Sequence, residues 1–147
     1  MTVNVNIKKL NDKATVPTLG SEYAAGSDLY ACIDEAVTIA PGETVLIKTG
    51  LAMEIPVGYA GLIYARSGLA SKRGLAPANK VGVVDSDYRG EVMVALHNHS
   101  KVDAVVEPNE RIAQLVVTPF LSVSYTEVDE LSDTVRGDGG FGSSGTK

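Results

Sequence analysis

Six consecutive residues, Asp-Ser-Asp-Tyr-Arg-Gly at positions 85–90, place two carboxylates, a phenol and a guanidinium in one short stretch. A connecting turn needs only residues such as Asp, Asn, Ser or Gly, so Tyr88 and Arg89 exceed what turn chemistry requires. This concentration of polar groups indicates a ligand site, and a decorated surface turn is the alternative interpretation.

Two runs rich in β-branched residues, 81–84 and 91–96, flank this loop and predict a β-hairpin. A hairpin presents backbone N–H and C=O groups in fixed directions to anything that lies between its strands. Asn79 precedes the first run, and its amide can both donate and accept, as a contact to a nucleobase or a sugar requires. An ordinary turn residue is the other interpretation of Asn79.

Two further stretches point to an anion. Arg66, Ser67 and Gly68 begin the only predicted helix, residues 66–74, with Ser67 as its cap and Gly74 after its end. Backbone N–H groups at a helix start favour an anion such as phosphate, although ordinary capping explains the same residues. Asp28 places one carboxylate at the entry to a strand, where a turn residue that bonds its own backbone is the alternative.

Arg111 and Gln114 lie three residues apart on a predicted strand, residues 111–118. Alternate strand residues face opposite sides, so this spacing predicts that the two side chains point away from each other. One of them is then expected to reach a site while the other supports the structure, and the spacing leaves open which one.

The C-terminal segment, residues 136–145, combines five glycines with Arg136 and Phe141. Glycines let a backbone wrap around phosphate oxygens, Arg136 supplies a bidentate cation, and Phe141 offers a face on which a base can stack. Because the segment has almost nothing to bury, we expect a flexible lid that becomes ordered when ligand binds.

The rest of the chain bounds the class of protein. With 147 residues it is long enough for one domain with a hydrophobic core, and short strands with frequent turn signals predict an all-β sandwich or barrel. A net charge of −5 argues against nonspecific nucleic-acid binding, and no apolar run has membrane-spanning length. The single Cys32 and the lack of a signal peptide predict a cytoplasmic protein.

Five ordered stretches together resemble the motifs of the trimeric deoxyuridine triphosphatases (dUTPases). They contain Asp28, the Arg66-Ser67-Gly68 triplet, and residues 81–90, 111–114 and 136–145. The resemblance spans residues 24–145, and it departs from the family pattern where Ala65 replaces a common Pro and Asn109 a common Gly.

The resemblance implies a distorted jelly-roll β-sandwich, with residues 1–130 as the β-barrel domain and residues 131–147 as its flexible lid. It also implies Mg²⁺-dependent hydrolysis of dUTP to dUMP and pyrophosphate. This reaction would remove dUTP from the nucleotide pool and supply dUMP for thymidylate synthesis. Asp85 would activate the attacking water, and Asp28 would contact the metal through water. The residues implied to bind substrate are Arg66, Ser67, Gly68, Asn79, Gly82, Val83, Val84, Tyr88, Met93, Gln114, Arg136, Phe141, Gly142 and Ser143.

Within that set, the hairpin backbone and Asn79 would read uracil, and Tyr88 would exclude a ribose 2′-hydroxyl. Phe141 would stack on the base, and the backbone of residues 142–144 would clamp the γ-phosphate with Arg136. The resemblance further implies a homotrimer in which each site is shared. One chain would give Asp28, the triplet at 66–68 and Gln114, a second chain the hairpin, and the third the tail.

Two readings compete with this assignment. One is a dCTP deaminase, which resembles dUTPases in fold, and the other is a non-catalytic nucleotide sensor or structural β-oligomer. His97 and His99 have the spacing of metal ligands on a strand, but they lack a third partner nearby, which favours an exposed or interface pair. Arg89 is expected to form a structural ion pair with Asp87.

Overall fold

A computed structural model describes residues 2–143 and consists of short antiparallel strands with one helix. The strands are β1 (Asn6–Lys9), β2 (Thr18–Leu19), β3 (Ser27–Tyr30), β4 (Val37–Ile39), β5 (Thr44–Glu54), β6 (Tyr59–Tyr64), β7 (Leu75–Pro77), β8 (Gly82–Val84), β9 (Glu91–Asn98), β10 (Ala104–Val106) and β11 (Arg111–Pro119). The helix α1 (Ser67–Arg73) lies between β6 and β7. The predicted all-β class with one short helix is confirmed.

The strands form a four-stranded sheet in the order β1-β5-β9-β7 and a five-stranded sheet in the order β2-β3-β11-β6-β8. A third sheet pairs β10 with β4. Side chains from both large sheets meet in one buried cluster, for example Leu29 and Leu115 from one and Ile47 from the other. The architecture is therefore a β-sandwich, as expected.

The alternation of β9 shows why this strand lies at the centre of its sheet. Val92, Val94 and Leu96 are almost completely buried, whereas Met93 and Ala95 between them are half-buried on the other face. Burial of each large aliphatic side chain contributes about 1.5–3 kcal/mol to folding, so the register of β9 is strongly specified.

The helix differs from its prediction at the N-terminus. Arg66, not Ser67, occupies the N-cap position in an extended conformation, and no side chain caps the helix. Gly74 ends the helix as predicted, in the left-handed region with φ 69°, and its backbone N–H donates to the carbonyl of Leu69.

Two strand predictions from the sequence pattern are wrong. Gly50 predicts two strands within residues 44–55, but β5 is continuous, and a register irregularity between Lys48 and Ala52 accommodates the glycine. The apolar residues between 122 and 128 predict a last strand, but residues 120–143 contain neither helix nor strand. Their apolar side chains have nothing to pack against, and Leu121 and Tyr125 are 88% and 93% exposed.

Among the described residues, no helix is long and apolar enough to cross a membrane.

Candidate active site

The β-hairpin predicted for residues 81–96 is not formed. Strands β8 and β9 belong to different sheets, with β8 paired to β6 at an edge and β9 paired to β5 and β7. Residues 85–90 therefore form an arch from one sheet to the other. The prediction failed because β-branched residues on both sides of a loop do not say whether the two strands pair with each other.

The arch leaves an open cleft of about 260 Å³ between the two strands. Seven of the predicted substrate and catalytic residues line it, namely Asn79, Gly82, Val83, Val84, Asp85, Tyr88 and Met93. Four residues that the sequence did not single out complete the lining: Leu46, Ile63, Glu91 and Val92. Glu91 carried a sequence signal, since it is the only acidic residue of β9 and the five residues that follow it are apolar.

The backbone of Met93 is open toward the neighbouring strand β7. The carbonyl of Ala95 accepts a hydrogen bond from the N–H of Ala78 at 2.8 Å. Peptide groups two residues apart on a strand point the same way, so the N–H and C=O of Met93 face the same side. No strand lies opposite them, because β7 already ends at Pro77. Lys80, which has a φ of 67°, then turns the chain away from β9. A donor and an acceptor are thus presented together.

The arch itself is held by its own side chains. Tyr88 donates from its hydroxyl to the carbonyl of Glu91 at 2.9 Å. Arg89 pairs with Glu54 at 3.2 Å, so an ion pair was expected correctly but its partner is not Asp87. The pKa of the Glu54 carboxyl lies below its usual value, because Asn6 donates a hydrogen bond to it and the Arg89 guanidinium lies beside it.

A second pocket, of about 290 Å³, contains the arginine-rich stretches. Arg66 donates through Nε to Asp28 Oδ1 at 2.8 Å, and Arg111 donates through Nη1 to Asp28 Oδ2 at 3.3 Å. Asp28 is only 13% exposed, so it anchors both cations at the base of the pocket. Two guanidinium groups and one carboxylate leave a net positive charge there, which suits a phosphate chain. We call this the anion pocket.

Arg111 and Gln114 both line the anion pocket, so the prediction that they face opposite sides was wrong. The register of β11 against β3 shifts between Arg111 and Ala113, and Ile112 and Ala113 are both buried in succession. An extra residue in one strand restores the two side chains to the same face. Gln114 donates to the carbonyl of Ala65 at 2.9 Å, which connects β11 to the start of the helix.

Gly26 also lines the anion pocket, and the sequence alone assigned it no role. A Cβ at this position would lie 2.3 Å from Oε1 of Gln114. Only glycine therefore leaves room for the Gln114 amide as it stands in the anion pocket.

The C-terminal segment forms a third group of predicted residues. Arg136 donates through Nε to the carbonyl of Gly139 at 2.7 Å, and the N–H of Ser143 donates to Gly140 at 3.0 Å. Phe141 is fully exposed and has φ 49°. These residues line a pocket of their own together with Gly142. Ser144, which belongs to the predicted clamp, and Gly145, which ends the predicted tail motif, lie outside the described residues.

The cleft, the anion pocket and the tail pocket share no residue. Within one chain, the structure brings the predicted site residues together in three separate groups.

The residues present fit a magnesium ion that is held mainly by its substrate. Among residues 2–143, no cluster of three or more His, Cys, Asp or Glu side chains could cage a metal. Each oxygen of Asp28 already accepts from an arginine, which leaves lone pairs for a metal-bound water but disfavours direct ligation. His97 and His99 turn to different partners, Thr44 Oγ1 at 3.0 Å and the Ala70 carbonyl at 3.1 Å.

The fold and its pockets define an all-β protein in which a backbone-lined cleft is accompanied by an arginine-rich anion pocket. The chain belongs to the dUTPase family: the family model for dUTPase matches residues 12–145. The chain is 50% identical over 143 residues to the deoxyuridine 5′-triphosphate nucleotidohydrolase of Nautilia profundicola, covering 97% of this chain and 99% of that protein. It is 48% identical over 141 residues to the enzyme of the same name from a Hydrogenobaculum species, covering 96% and 97%.

Solved structures agree with this family. A mutant dUTPase of Staphylococcus bacteriophage 80alpha with dUpNHpp superposes with a TM-score of 0.84 at 30% identity, covering 98% of this chain and 99% of that one. A mutant dUTPase from phage phi11 of S. aureus, described with the coordination of a structural Mg(II) ion, superposes with a TM-score of 0.79 at 25% identity, covering 88% and 99%. The resemblance drawn from the sequence motifs is confirmed.

Proposed function

We propose that this member of the dUTPase family hydrolyses dUTP to dUMP and pyrophosphate, with Asp85 activating the water that attacks the α-phosphorus. The observation that carries the proposal is the cleft between the two sheets, where open backbone groups and Asp85 lie together. The anion pocket supplies what a triphosphate needs, namely guanidinium groups that are already oriented.

Uracil is the base that this cleft suits. Its edge presents acceptor, donor and acceptor, whereas the edge of cytosine presents donor, acceptor and acceptor. The N–H and C=O of Met93, the backbone of residues 82–84 and the amide of Asn79 offer matching partners for uracil. Cytosine would leave polar groups of the cleft unpaired, which discriminates between bases more strongly than shape does.

The phosphate chain is bound by the anion pocket. Arg66 and Arg111 each use one N–H group on Asp28, and the rest of each guanidinium remains for phosphate oxygens. Gln114, Ser67 and Gly68 line the same pocket and add neutral donors and room for close approach. Fixing the chain in line for attack supplies most of the catalysis in phosphoryl chemistry.

In this proposal Asp85 acts as the general base. Its carboxylate is exposed at the mouth of the cleft, and its own carbonyl accepts from the N–H of Tyr88 at 3.2 Å, which holds the start of the arch. The carboxylate takes a proton from water, the water oxygen bonds to the α-phosphorus, and the bond to the oxygen shared with the β-phosphate breaks. Pyrophosphate leaves with that bond pair. A bound Mg²⁺ supplies charge neutralisation on the phosphate oxygens.

The division of the site into three groups supports a homotrimer with shared sites. Residues 120–135 present an extended row of exposed apolar side chains, which a single chain does not cover. A tail that packs on a neighbour would bury this row and bring Arg136 and Phe141 to another chain's cleft. In this proposal residues 1–130 form the barrel domain and residues 131–147 its lid, in a cytoplasmic enzyme consistent with the free Cys32.

The substrate assignment is tested by incubating the protein with dUTP and with dCTP in the presence of Mg²⁺. The proposal expects pyrophosphate from dUTP and little from dCTP. Ammonia release from dCTP would favour the deaminase reading, and binding of dUTP without any turnover would favour a nucleotide sensor.

The shared site is tested by mixing an Asp85→Asn variant with one truncated before Arg136, after unfolding and equal refolding. If the arch and the tail of one site come from different chains, random assembly restores about a quarter of the wild-type sites. Activity that stays at the level of the parents, with trimers confirmed by sedimentation, would reject sharing and leave the substrate assignment intact.

A further inference from the structure

The side chain of Tyr88 is folded back across Gly90. A Cβ built on Gly90 would lie 2.4 Å from the Tyr88 hydroxyl oxygen, 2.6 Å from Cζ and 2.9 Å from Cε2. The hydroxyl then reaches over the glycine to donate to the carbonyl of Glu91 at 2.9 Å. The ring therefore lies over the one position in the arch that has no side chain.

Conformation does not explain the glycine. Gly90 does not have a positive φ, so any L-residue could adopt its backbone conformation. Space is the remaining reason, because any Cβ there would overlap the hydroxyl oxygen and two ring carbons of Tyr88. An alanine at this position is expected to leave the fold intact and to move the ring.

Arg89 holds the backbone that carries the Tyr88 ring. Its Nη1 group donates to the carbonyls of Ser86 at 2.7 Å and Tyr88 at 3.1 Å, and Nη2 pairs with Glu54 on β5. One guanidinium thus joins two carbonyls of the arch to a neighbouring strand. Such a fork fixes geometry in a way that a single ammonium group does not.

Glu91 completes the support at the other end of the arch. Its side chain accepts from the backbone N–H of Gly50 at 2.9 Å, where the register of β5 is irregular. Its backbone carbonyl is the acceptor for Tyr88. The acceptor that positions the phenol is therefore itself fixed to β5.

We propose that Gly90 and Arg89 are positioning residues that set how strongly the enzyme distinguishes deoxyribose from ribose, by holding the Tyr88 ring in place. The inference rests on the proposed function, in which this ring occupies the space of a ribose 2′-hydroxyl. Gly90 and Glu91 contact one side of the Tyr88 side chain. Tyr88 also lines the cleft and is 43% exposed, so a ligand in the cleft can contact it.

The test compares kcat/KM for dUTP and for UTP in wild type, Gly90→Ala, Arg89→Ala and Tyr88→Ala. We expect Gly90→Ala to lower the dUTP-to-UTP ratio by roughly tenfold to a hundredfold, the range over which pocket shape discriminates small groups. Arg89→Ala should lower the same ratio. An equal loss on both substrates, with the ratio unchanged, would mean that the residues are merely structural and would overturn the proposal.

A double variant separates positioning from general damage to the arch. In the Tyr88→Ala background there is no ring to displace, so adding Gly90→Ala should leave the dUTP-to-UTP ratio where Tyr88→Ala put it. A further drop of the ratio in the double variant would show that Gly90 acts through some other group.

A readout that does not depend on turnover keeps the proposal separate from the enzymatic assignment. Protein labelled with 3-fluorotyrosine gives one ¹⁹F resonance per tyrosine, and Tyr88→Phe assigns the relevant one. We expect this resonance to move in Gly90→Ala and in Arg89→Ala. An unmoved resonance refutes positioning even if dUTP is hydrolysed, whereas lack of dUTP turnover in wild type with a moved resonance refutes the proposed function alone.

Discussion

Replacing Gly26 by alanine is the sharpest perturbation of the anion pocket, because it adds one methyl group whose nearest neighbour is the Gln114 side chain. The new Cβ would lie 2.3 Å from Oε1, 3.1 Å from Cδ and 3.3 Å from Cβ of Gln114. Gly26 does not have a positive φ, so the substitution introduces no backbone strain. The whole effect therefore falls on the amide of Gln114.

The size of the effect follows from the geometry. A Cβ atom essentially never lies within 3.0 Å of a heavy atom of a residue that is not its chain neighbour. The amide oxygen of Gln114 must therefore move by at least about 0.7 Å. We expect a shift of that size to misalign the 2.9 Å bond from Gln114 to the Ala65 carbonyl and, in the proposed function, the contact of the amide with phosphate. A hydrogen bond to a charged group is worth about 1.5–3 kcal/mol, which corresponds to roughly a 10- to 150-fold loss in kcat/KM for dUTP.

Stability should change little, since the far end of a flexible side chain can move at low cost. The assay measures kcat/KM and the urea midpoint at one fixed protein concentration for Gly26→Ala, Gln114→Ala and the double variant. We expect the double variant to match Gln114→Ala, because the group that Gly26→Ala displaces is then missing. Losses that simply add, or an unaltered kcat/KM in Gly26→Ala, would refute the reasoning.

Three more results are expected. Asp85→Asn should bind a nonhydrolysable dUTP analogue as tightly as wild type by calorimetry while losing turnover, and a parallel loss of binding would assign Asp85 a structural role. Gly50→Ala, with φ 67° and a Cβ 2.8 Å from both Ala14 Cβ and Cys32 Sγ, should lower the free energy of unfolding by about 2–5 kcal/mol in urea titrations. Gly42→Ala, with φ 78° and open space around it, should cost only about 1 kcal/mol, and equal costs would show that packing at Gly50 does not matter. Protease should cleave the exposed residues 120–143 in the free protein, and the analogue with Mg²⁺ should protect them, whereas unaltered cleavage would argue against a lid.

The sequence singled out many of the residues that line the two pockets, but it did not predict the backbone geometry that brings them there. Residue types alone singled out Asp85, Tyr88 and the arginines, because polar and aromatic groups in such density exceed what turns need. The same pattern could not show that β8 and β9 lie in different sheets, since strand pairing is decided by contacts distant in sequence.

The strand β11 shows a second limit. Strict alternation placed Arg111 and Gln114 on opposite faces, and one extra residue at the bulge reversed that result. A bulge carries only a weak sequence signal, here the two adjacent apolar residues Ile112 and Ala113. The role of Gly26 was equally out of reach, because it depends on an approach of Gln114 that exists only in the folded sheet.

The central claim is that water attacks the α-phosphorus of dUTP with Asp85 as its base, and the position of an oxygen label tests it most directly. The protein is allowed to hydrolyse dUTP in ¹⁸O-labelled water with Mg²⁺, and both products are analysed by mass spectrometry. The account predicts that the label enters dUMP and that pyrophosphate remains unlabelled. Label in pyrophosphate would place the attack on the β-phosphorus and contradict the account.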